Sequence, residues 1–108
     1  SHSPVESPVS TKIADGMACS VPEESALELI WEGVERIVQV SDTEIAESMR
    51  MMYECTHNVC EGAGAAAIAA ALQESSKNKG RKVAVIASGG NVDRDVFAKI
   101  LNGENFAE

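Results

Sequence analysis

The sequence predicts an α/β domain with two short strands and about four helices. An unbroken apolar run at residues 83–87, rich in β-branched side chains, is typical of a parallel strand that is covered on both faces. A second β-branched segment at residues 36–40 predicts another strand. Four further segments show helical periodicity, alanine richness or N-terminal capping residues, and these predict the helices.

Length and charge limit the possible function classes. The 108 residues suit one domain, and an apolar fraction of 44% can supply a modest core. Nine basic and seventeen acidic residues give a formal net charge of −8, which argues against nucleic acid and anionic membranes as partners. We find neither a signal-peptide pattern nor an apolar run of membrane-spanning length.

The three cysteines are Cys19, Cys55 and Cys60. They form neither an even disulfide set nor a Cys-x-x-Cys metal pair. We therefore expect reduced thiols, a cytoplasmic protein and no metal site.

The first third of the chain predicts a leader, a loop and one helix. Prolines and serines in residues 1–12 predict a flexible or extended leader. Gly16, in a loop of small residues, is compatible with an ordinary turn or with close approach of the backbone to a ligand. Ser20-Val21-Pro22-Glu23 offers an N-cap and a first-turn proline, which predicts a helix over residues 23–32.

The clearest amphipathic helix follows Ser41, where Ser41 and Glu44 have the spacing of a capping box. One face of this helix carries Ile45, Met49, Met52, Tyr53 and Thr56. Its methionines predict core packing, because thioethers fill irregular gaps between helices. His57, near the helix end, suits the helix dipole better than a catalytic role, since no nucleophile lies nearby in sequence.

Residues 62–72 predict a small, alanine-rich helix that is buried against closely spaced neighbours. Gly62 and Gly64 belong at its entrance, where they permit tight packing or leave backbone amides open to a ligand. Glu61 lies just before this entrance. Its carboxylate can compensate the helix dipole, line a pocket, or do both.

A glycine turn, Ser88-Gly89-Gly90-Asn91, connects the predicted strand at 83–87 to a helix over residues 92–101, with Asn91 as a candidate cap. In open α/β sheets, ligands collect beyond the carboxyl ends of such strands. Any strand-to-helix turn favours glycine, so this motif alone is weak evidence of a ligand pocket. The helix is expected to turn Val92, Val96, Phe97 and Ile100 inward, and residues 102–108 form a tail.

Four motifs occur in a characteristic order: Ile13-Ala14-Asp15-Gly16, residues 34–41, Glu61-Gly62-Ala63-Gly64-Ala65 and Ser88-Gly89-Gly90-Asn91. Together they resemble the C-terminal part of the catalytic domain of threonine and serine dehydratases. These are fold type II pyridoxal-phosphate enzymes, a group that includes serine racemase. The resemblance covers residues 13–101 and implies a partial three-layer α/β domain, a fragment of a fold type II enzyme.

The resemblance implies roles for four residues. The Ser88 hydroxyl would hydrogen-bond the pyridine nitrogen of pyridoxal phosphate, and Gly89 would belong to the same cofactor-binding turn. The backbone of Gly16 would lie beside the cofactor, and Glu61 near its ring. The family reaction is dehydration of threonine or serine to a 2-oxo acid and ammonia.

The sequence departs from the family by lacking several motifs. We find no Ser-x-Lys-x-Arg-Gly segment for the cofactor-binding lysine, no Ser-x-Gly-Asn-His loop for the substrate carboxylate and no glycine run for the cofactor phosphate. Lys77, Lys79 and Lys82 lie on or beside a solvated loop and do not match the missing lysine. One hydrogen bond contributes about 1 kcal/mol net, so we expect this chain alone to bind no cofactor and to be inactive.

Two other functions compete with an inactive dehydratase fragment. A stand-alone, non-catalytic module could associate with itself or with a partner such as the remainder of the parent enzyme. A nucleotide-binding module using Gly62-x-Gly64 is disfavoured, because Val59-Cys60 is too short a strand before those glycines.

Overall fold

The computed structural model of the protein describes residues 3–104 and 106. In this part of the chain four α-helices form, together with a short 3-10 turn at Asp15–Met17. The helices are α1 (Glu24–Gly33), α2 (Asp42–Thr56), α3 (Gly62–Gln73) and α4 (Arg94–Leu101). None of these described helices is long and apolar enough to cross a bilayer.

Helix α2 begins with the predicted capping box. The Ser41 hydroxyl accepts from the Glu44 amide at 3.3 Å, and the Glu44 carboxylate accepts from the Ser41 amide at 2.7 Å. This backbone hydrogen bond lowers the pKa of Glu44, and Gln73 adds to the effect. The helix ends at His57, whose left-handed backbone has φ 58°. The predicted capping box and helix are confirmed. The predicted apolar face is confirmed at Ile45, Met49 and Met52, which are buried or half-buried, but its last two residues, Tyr53 and Thr56, are exposed.

The core lies mainly between α2 and α3. Met49 is 1% exposed and Met52 packs against the same cluster, so the predicted core role of these methionines is confirmed. On α3, one face is buried through Ala65 and Ala69. The rest of α3 stays half-buried or exposed, which corrects the prediction of a fully covered helix. The buried apolar residues are Ile13, Ala14, Ile45, Ala46, Met49, Cys60, Ala65, Ala69 and Ile100.

Helix α4 packs against α2 with the face that the sequence predicted. Ile100 is fully buried, and Val92, Val96 and Phe97 pack against the core. The helix begins two residues later than predicted, at Arg94, with Asp93 rather than Asn91 as its N-cap. The helix begins later because the Val92 amide donates to the Gly90 carbonyl oxygen at 3.0 Å, which places residues 90–92 in a turn.

Helix α1 also begins later than its expected cap. Glu23, not Ser20, is the N-cap, and its carboxylate accepts from the Ala26 amide at 3.0 Å. Hydrogen bonds from Ser25 and then Ala26 lower the pKa of Glu23. No residue of α1 is buried, so this helix contributes little to the core.

Both predicted strands are wrong for the described structure. Residues 36–40 and 83–87 are not strands, and Ile37 and Ile86 are 76% and 79% exposed. A strand needs a neighbouring backbone to receive its N–H and C=O groups. Within residues 3–104 and 106 no backbone pairs with either segment in this way, so the apolar run at 83–87 is not buried.

Polar contacts fix the 36–40 segment beside the end of α3. The Arg36 guanidinium forms two hydrogen bonds with the Glu74 carboxylate, which also pairs with Lys77. The Gln73 side chain donates to the Gln39 carbonyl oxygen at 3.0 Å. These contacts hold the segment in place although it lacks a strand partner.

We predict that Glu74 stays mostly ionised below pH 4.5, the ordinary pKa of a glutamate. Its pKa falls from the ordinary value of 4.5 to about 2, chiefly through the hydrogen bonds from Arg36. Because the folded-state pKa is lowered, the stabilisation is present above pH 4.5 and is lost as the pH falls towards 2. Carboxyl-carbon NMR titration measures this pKa. Arg36→Ala should return it towards 4.5, whereas Arg94→Ala, which removes a distant exposed pair, should leave it unchanged.

The leader is tied to α2 through Asp42, which is 6% exposed. Its carboxylate accepts from the Thr11 hydroxyl at 2.5 Å and from the Lys12 amide at 2.6 Å. From the predicted tail, Phe106 packs against the core. Three other tail positions, 105, 107 and 108, and leader positions 1 and 2 lie outside the described residues.

Candidate functional site

The candidate site is built around Glu61, the residue that precedes α3. The Glu61 amide donates to the Gly89 carbonyl oxygen at 3.0 Å, which joins the glycine turn to the start of this helix. The Glu61 side chain lies against the same glycine, because a Cβ on Gly89 would overlap its carboxylate oxygen Oε1. Glu61 and Gly89 are both half-buried. Two of the predicted site residues are therefore in direct contact.

Gly16 approaches the same helix start from the 3-10 turn. A Cβ on Gly16 would lie 3.1 Å from the Ala63 Cβ and 3.9 Å from the Glu61 Oε1. The turn is closed by the Met17 amide, which donates to the Ala14 carbonyl oxygen at 3.1 Å. Gly16 itself is exposed, so its backbone is accessible beside the Glu61 carboxylate.

Ser88 directly precedes Gly89 and is exposed. Its position in the chain places it at the edge of the cluster that Glu61, Gly16 and Gly89 form. The structure thus brings together three segments that are far apart in the sequence. The arrangement offers a hydroxyl that can donate or accept a hydrogen bond, an accessible backbone and a carboxylate.

Glycines make this close approach possible. A Cβ on Gly62 would overlap the Ile13 carbonyl oxygen, and one on Gly64 would lie 2.7 Å from the Gly89 carbonyl oxygen. A Cβ on Gly90 would lie 2.7 Å from the Val59 carbonyl oxygen. Of the two roles open for Gly62 and Gly64 in the sequence, the structure therefore shows tight packing.

Cys60 is a part of the site that sequence reasoning missed. It is 1% exposed, and its sulfur would lie 3.0 Å from a Cβ on Gly64. Burial raises the pKa of the Cys60 thiol, and the charge of Glu61 adds to this effect. A neutral, buried thiol acts here as packing material. The available signal was its position one residue before Glu61.

An open cleft with a volume of about 740 Å³ lies elsewhere among the described residues. It is bounded by residues 9–11 and 37–40 and reaches the start of α2. Ala14 and Met17, which flank the Gly16 turn, belong to its wall, but Glu61, Ser88 and Gly89 do not. We place the candidate site at the contact between three motifs, since that contact, unlike the cleft, joins the residues with suitable chemistry.

Comparison with known proteins gives the family. The sequence profile described as "Pyridoxal-phosphate dependent enzyme" matches residues 1–89. The chain is 39% identical over 90 residues to L-threonine ammonia-lyase of Thermotoga maritima, and the aligned region covers 83% of this chain and 22% of that protein. It is 35% identical over 91 residues to L-threo-3-hydroxyaspartate ammonia-lyase of a Pseudomonas species, covering 84% and 28%. Serine racemase of Dictyostelium discoideum is 35% identical over 92 residues, covering 83% and 28%.

The chain belongs to the pyridoxal-phosphate-dependent enzyme family, whose members use pyridoxal phosphate as their cofactor. Within this family it is similar to threonine and hydroxyaspartate ammonia-lyases and to a serine racemase. The resemblance inferred from the four motifs is therefore confirmed. The chain spans less than a third of the length of these relatives.

The described residues fit one side of this cofactor. An exposed hydroxyl at Ser88, the accessible backbone of Gly16 and the Glu61 carboxylate can line the edge of a flat heteroaromatic ring. A phosphate group instead requires backbone amides in a glycine-rich turn or basic side chains. Around Glu61 the structure places glycine backbone against protein atoms, not against open space that could hold a phosphate.

Proposed function

We propose that this chain is the C-terminal part of the catalytic domain of a pyridoxal-phosphate-dependent threonine or serine dehydratase. In this proposal it supplies the ring-nitrogen side of the cofactor site. The supporting observation is the convergence of Gly16 and Gly89 on Glu61, beside the exposed Ser88. These are the residues to which the family resemblance assigns contact with the cofactor.

Ser88 is the residue that tunes the chemistry. When bound, pyridoxal phosphate supplies a ring that accepts negative charge from the substrate Cα. A serine hydroxyl is a neutral partner for the ring nitrogen, so it does not hold a proton there as an aspartate would. The ring is then a weaker electron sink, which favours expulsion of the β-hydroxyl. Gly16 and Glu61, which lie in the same cluster, would help to orient the ring.

The isolated chain is inactive in this proposal. Its sequence carries no counterpart of the family's cofactor-binding lysine, phosphate turn or substrate-carboxylate loop. The remaining ring-nitrogen hydrogen bond contributes only about 1 kcal/mol, which corresponds to no useful affinity. Activity would require the remainder of a parent enzyme, with a hydroxy amino acid as substrate.

A chimera tests this function. We would replace the matching segment of the Thermotoga maritima L-threonine ammonia-lyase by the corresponding 90 residues of this chain. The chimera is expected to bind pyridoxal phosphate and to convert threonine to 2-oxobutanoate and ammonia. The isolated chain should do neither. Turnover by the isolated chain, or a folded chimera that binds no cofactor, would contradict the proposal.

In that chimera we predict that Ser88→Ala lowers kcat about tenfold, since one hydrogen bond to the ring is lost. Ser76→Ala, on the exposed loop after α3, is the matched control and should leave kcat unchanged. Steady-state kinetics at saturating cofactor and the absorption spectrum of the bound cofactor measure the effect. An unchanged spectrum and kcat in Ser88→Ala would remove Ser88 from the site.

A second candidate function is a stand-alone, self-associating module without catalysis. Exposed apolar side chains favour it, since Leu29, Ile37 and Ile86 are each more than 70% exposed. Light scattering on the isolated chain separates the two. A closed oligomer of defined size supports the module, whereas a polydisperse aggregate supports a fragment that needs the rest of an enzyme.

A further inference from the structure

We infer that Gly64 is a positioning residue for Ser88, because the first turn of α3 is the surface on which the glycine turn rests. This inference rests on the proposed cofactor role of Ser88. Gly64 is buried, and its proposed role does not require contact with the cofactor. It acts through Gly89, the residue that follows Ser88.

The space beside Gly64 is filled by backbone. A Cβ on Gly64 would lie 2.7 Å from the Gly89 carbonyl oxygen and 3.1 Å from the Gly89 nitrogen. It would also lie 3.0 Å from the Cys60 sulfur. Backbone atoms cannot swing aside as the end of a long side chain can. An alanine here would push Gly89 outward by roughly 0.7 Å to reach ordinary van der Waals separation.

The requirement for glycine comes from this contact and not from backbone conformation. Gly64 lies inside α3 and has no left-handed φ, so alanine would suit the helix better by intrinsic propensity. The same Gly89 carbonyl oxygen accepts from the Glu61 amide at 3.0 Å. The Gly89 carbonyl oxygen is therefore held in place by two residues at the start of α3. Glu61 binds it by a hydrogen bond, and Gly64 packs closely against it.

The Gly89 carbonyl oxygen belongs to the residue that directly follows Ser88. Catalytic groups must be held within about 0.5 Å of their productive geometry, and a misplacement of about 1 Å can cost a hundredfold in rate. The shift expected for Gly64→Ala falls between these limits. Gly62 has the same relation to a different loop, because it packs on Ile13, which leads to Gly16. Gly64 should thus affect Ser88 without moving the Gly16 turn.

Hydrogen exchange on the chain without cofactor is the first test. In Gly64→Ala, exchange of the Glu61 amide, which donates to Gly89, is expected to accelerate at least about tenfold. Exchange of the Met49 amide in α2 should not change. Gly33→Ala is the matched control, since a Cβ there has nothing within 4 Å. An unchanged Glu61 exchange rate in Gly64→Ala would overturn the inference.

A second variant keeps the inference testable if Gly64→Ala does not fold. If Gly64→Ala loses protection throughout the chain, Cys60→Ala combined with Gly64→Ala removes the sulfur contact and keeps the backbone contact. Selective loss of protection at Glu61 in this double variant supports the inference. Loss throughout the chain in both variants would make Gly64 a general packing residue and overturn it.

The chimera provides a double-mutant cycle. Gly64→Ala is expected to lower kcat about tenfold and to shift the cofactor spectrum as Ser88→Ala does. Because Gly64 acts through Ser88, the double variant should be no slower than Ser88→Ala alone. Multiplied losses would overturn the inference. The exchange test needs no cofactor, so an inactive chimera would reject the proposed function while the packing role of Gly64 is still decided.

Discussion

Gly62→Ala is expected to lower the free energy of unfolding by about 3 kcal/mol, at the upper end of the cost of overpacking. The new Cβ would overlap the Ile13 carbonyl oxygen and lie 2.7 Å from the Ile13 carbonyl carbon and 3.2 Å from the Ala14 Cα. All these atoms are backbone atoms of Ile13 and Ala14, whose side chains are buried in the core. The added methyl must therefore move a packed segment. Urea unfolding followed by helical circular dichroism measures the loss.

Gly33→Ala separates this contact from helix propensity. Both glycines are in helices, and alanine is intrinsically favoured over glycine by up to about 1 kcal/mol in a helix. Nothing lies within 4 Å of a Cβ on Gly33. The control should therefore be neutral or slightly stabilised, while Gly62→Ala changes in the opposite direction. Equal unfolding midpoints for both variants would show that α3 does not pack on Ile13 as described.

The helices that depend on local interactions were predictable from the sequence. The capping box at Ser41 and Glu44 involves residues three apart, and the inward face of α4 follows from helical spacing. Helix starts were less accurate. Asn91 and Ser20 are good caps by residue type, but a turn at Gly90 and a bend at residues 20–21 moved the first helical residue along the chain.

The strands at 36–40 and 83–87 could not be decided from the sequence alone. An apolar, β-branched run indicates what a segment prefers, whereas a strand exists only if a second backbone pairs with it. In the part of the chain that the structure describes, the 36–40 segment is instead held by side chains, through Arg36 with Glu74 and Gln73 with the Gln39 carbonyl. Such contacts between distant residues leave no periodic signal.

The candidate site shows the same division. Each motif around Glu61, Gly16 and Gly89 was visible in the sequence, but their meeting point came from family resemblance and then from the structure. The packing partners of Gly62 and Gly64 lie on other segments, so the sequence left tight packing and ligand binding equally open. The tie between Asp42 and Thr11 was missed because a helix-start aspartate has a sufficient local explanation.

Met49→Ala is the second large effect, and we expect it to cost about 3 kcal/mol of unfolding free energy. Met49 is 1% exposed and belongs to the core between α2 and α3. The buried residues of α3 in this core are Ala65 and Ala69. Their methyl groups have no rotamers that could reach into the cavity, so the space would stay largely unfilled. The urea midpoint should fall while the slope of the transition is unchanged.

Met51→Ala is the matched control because it makes the same chemical change two residues along α2. Met51 is 42% exposed, so its truncation removes little buried surface and should cost less than about 1 kcal/mol. The difference between the variants measures which face of α2 is turned to the core. If Met51→Ala were as destabilising as Met49→Ala, α2 would have to be rotated from the described orientation.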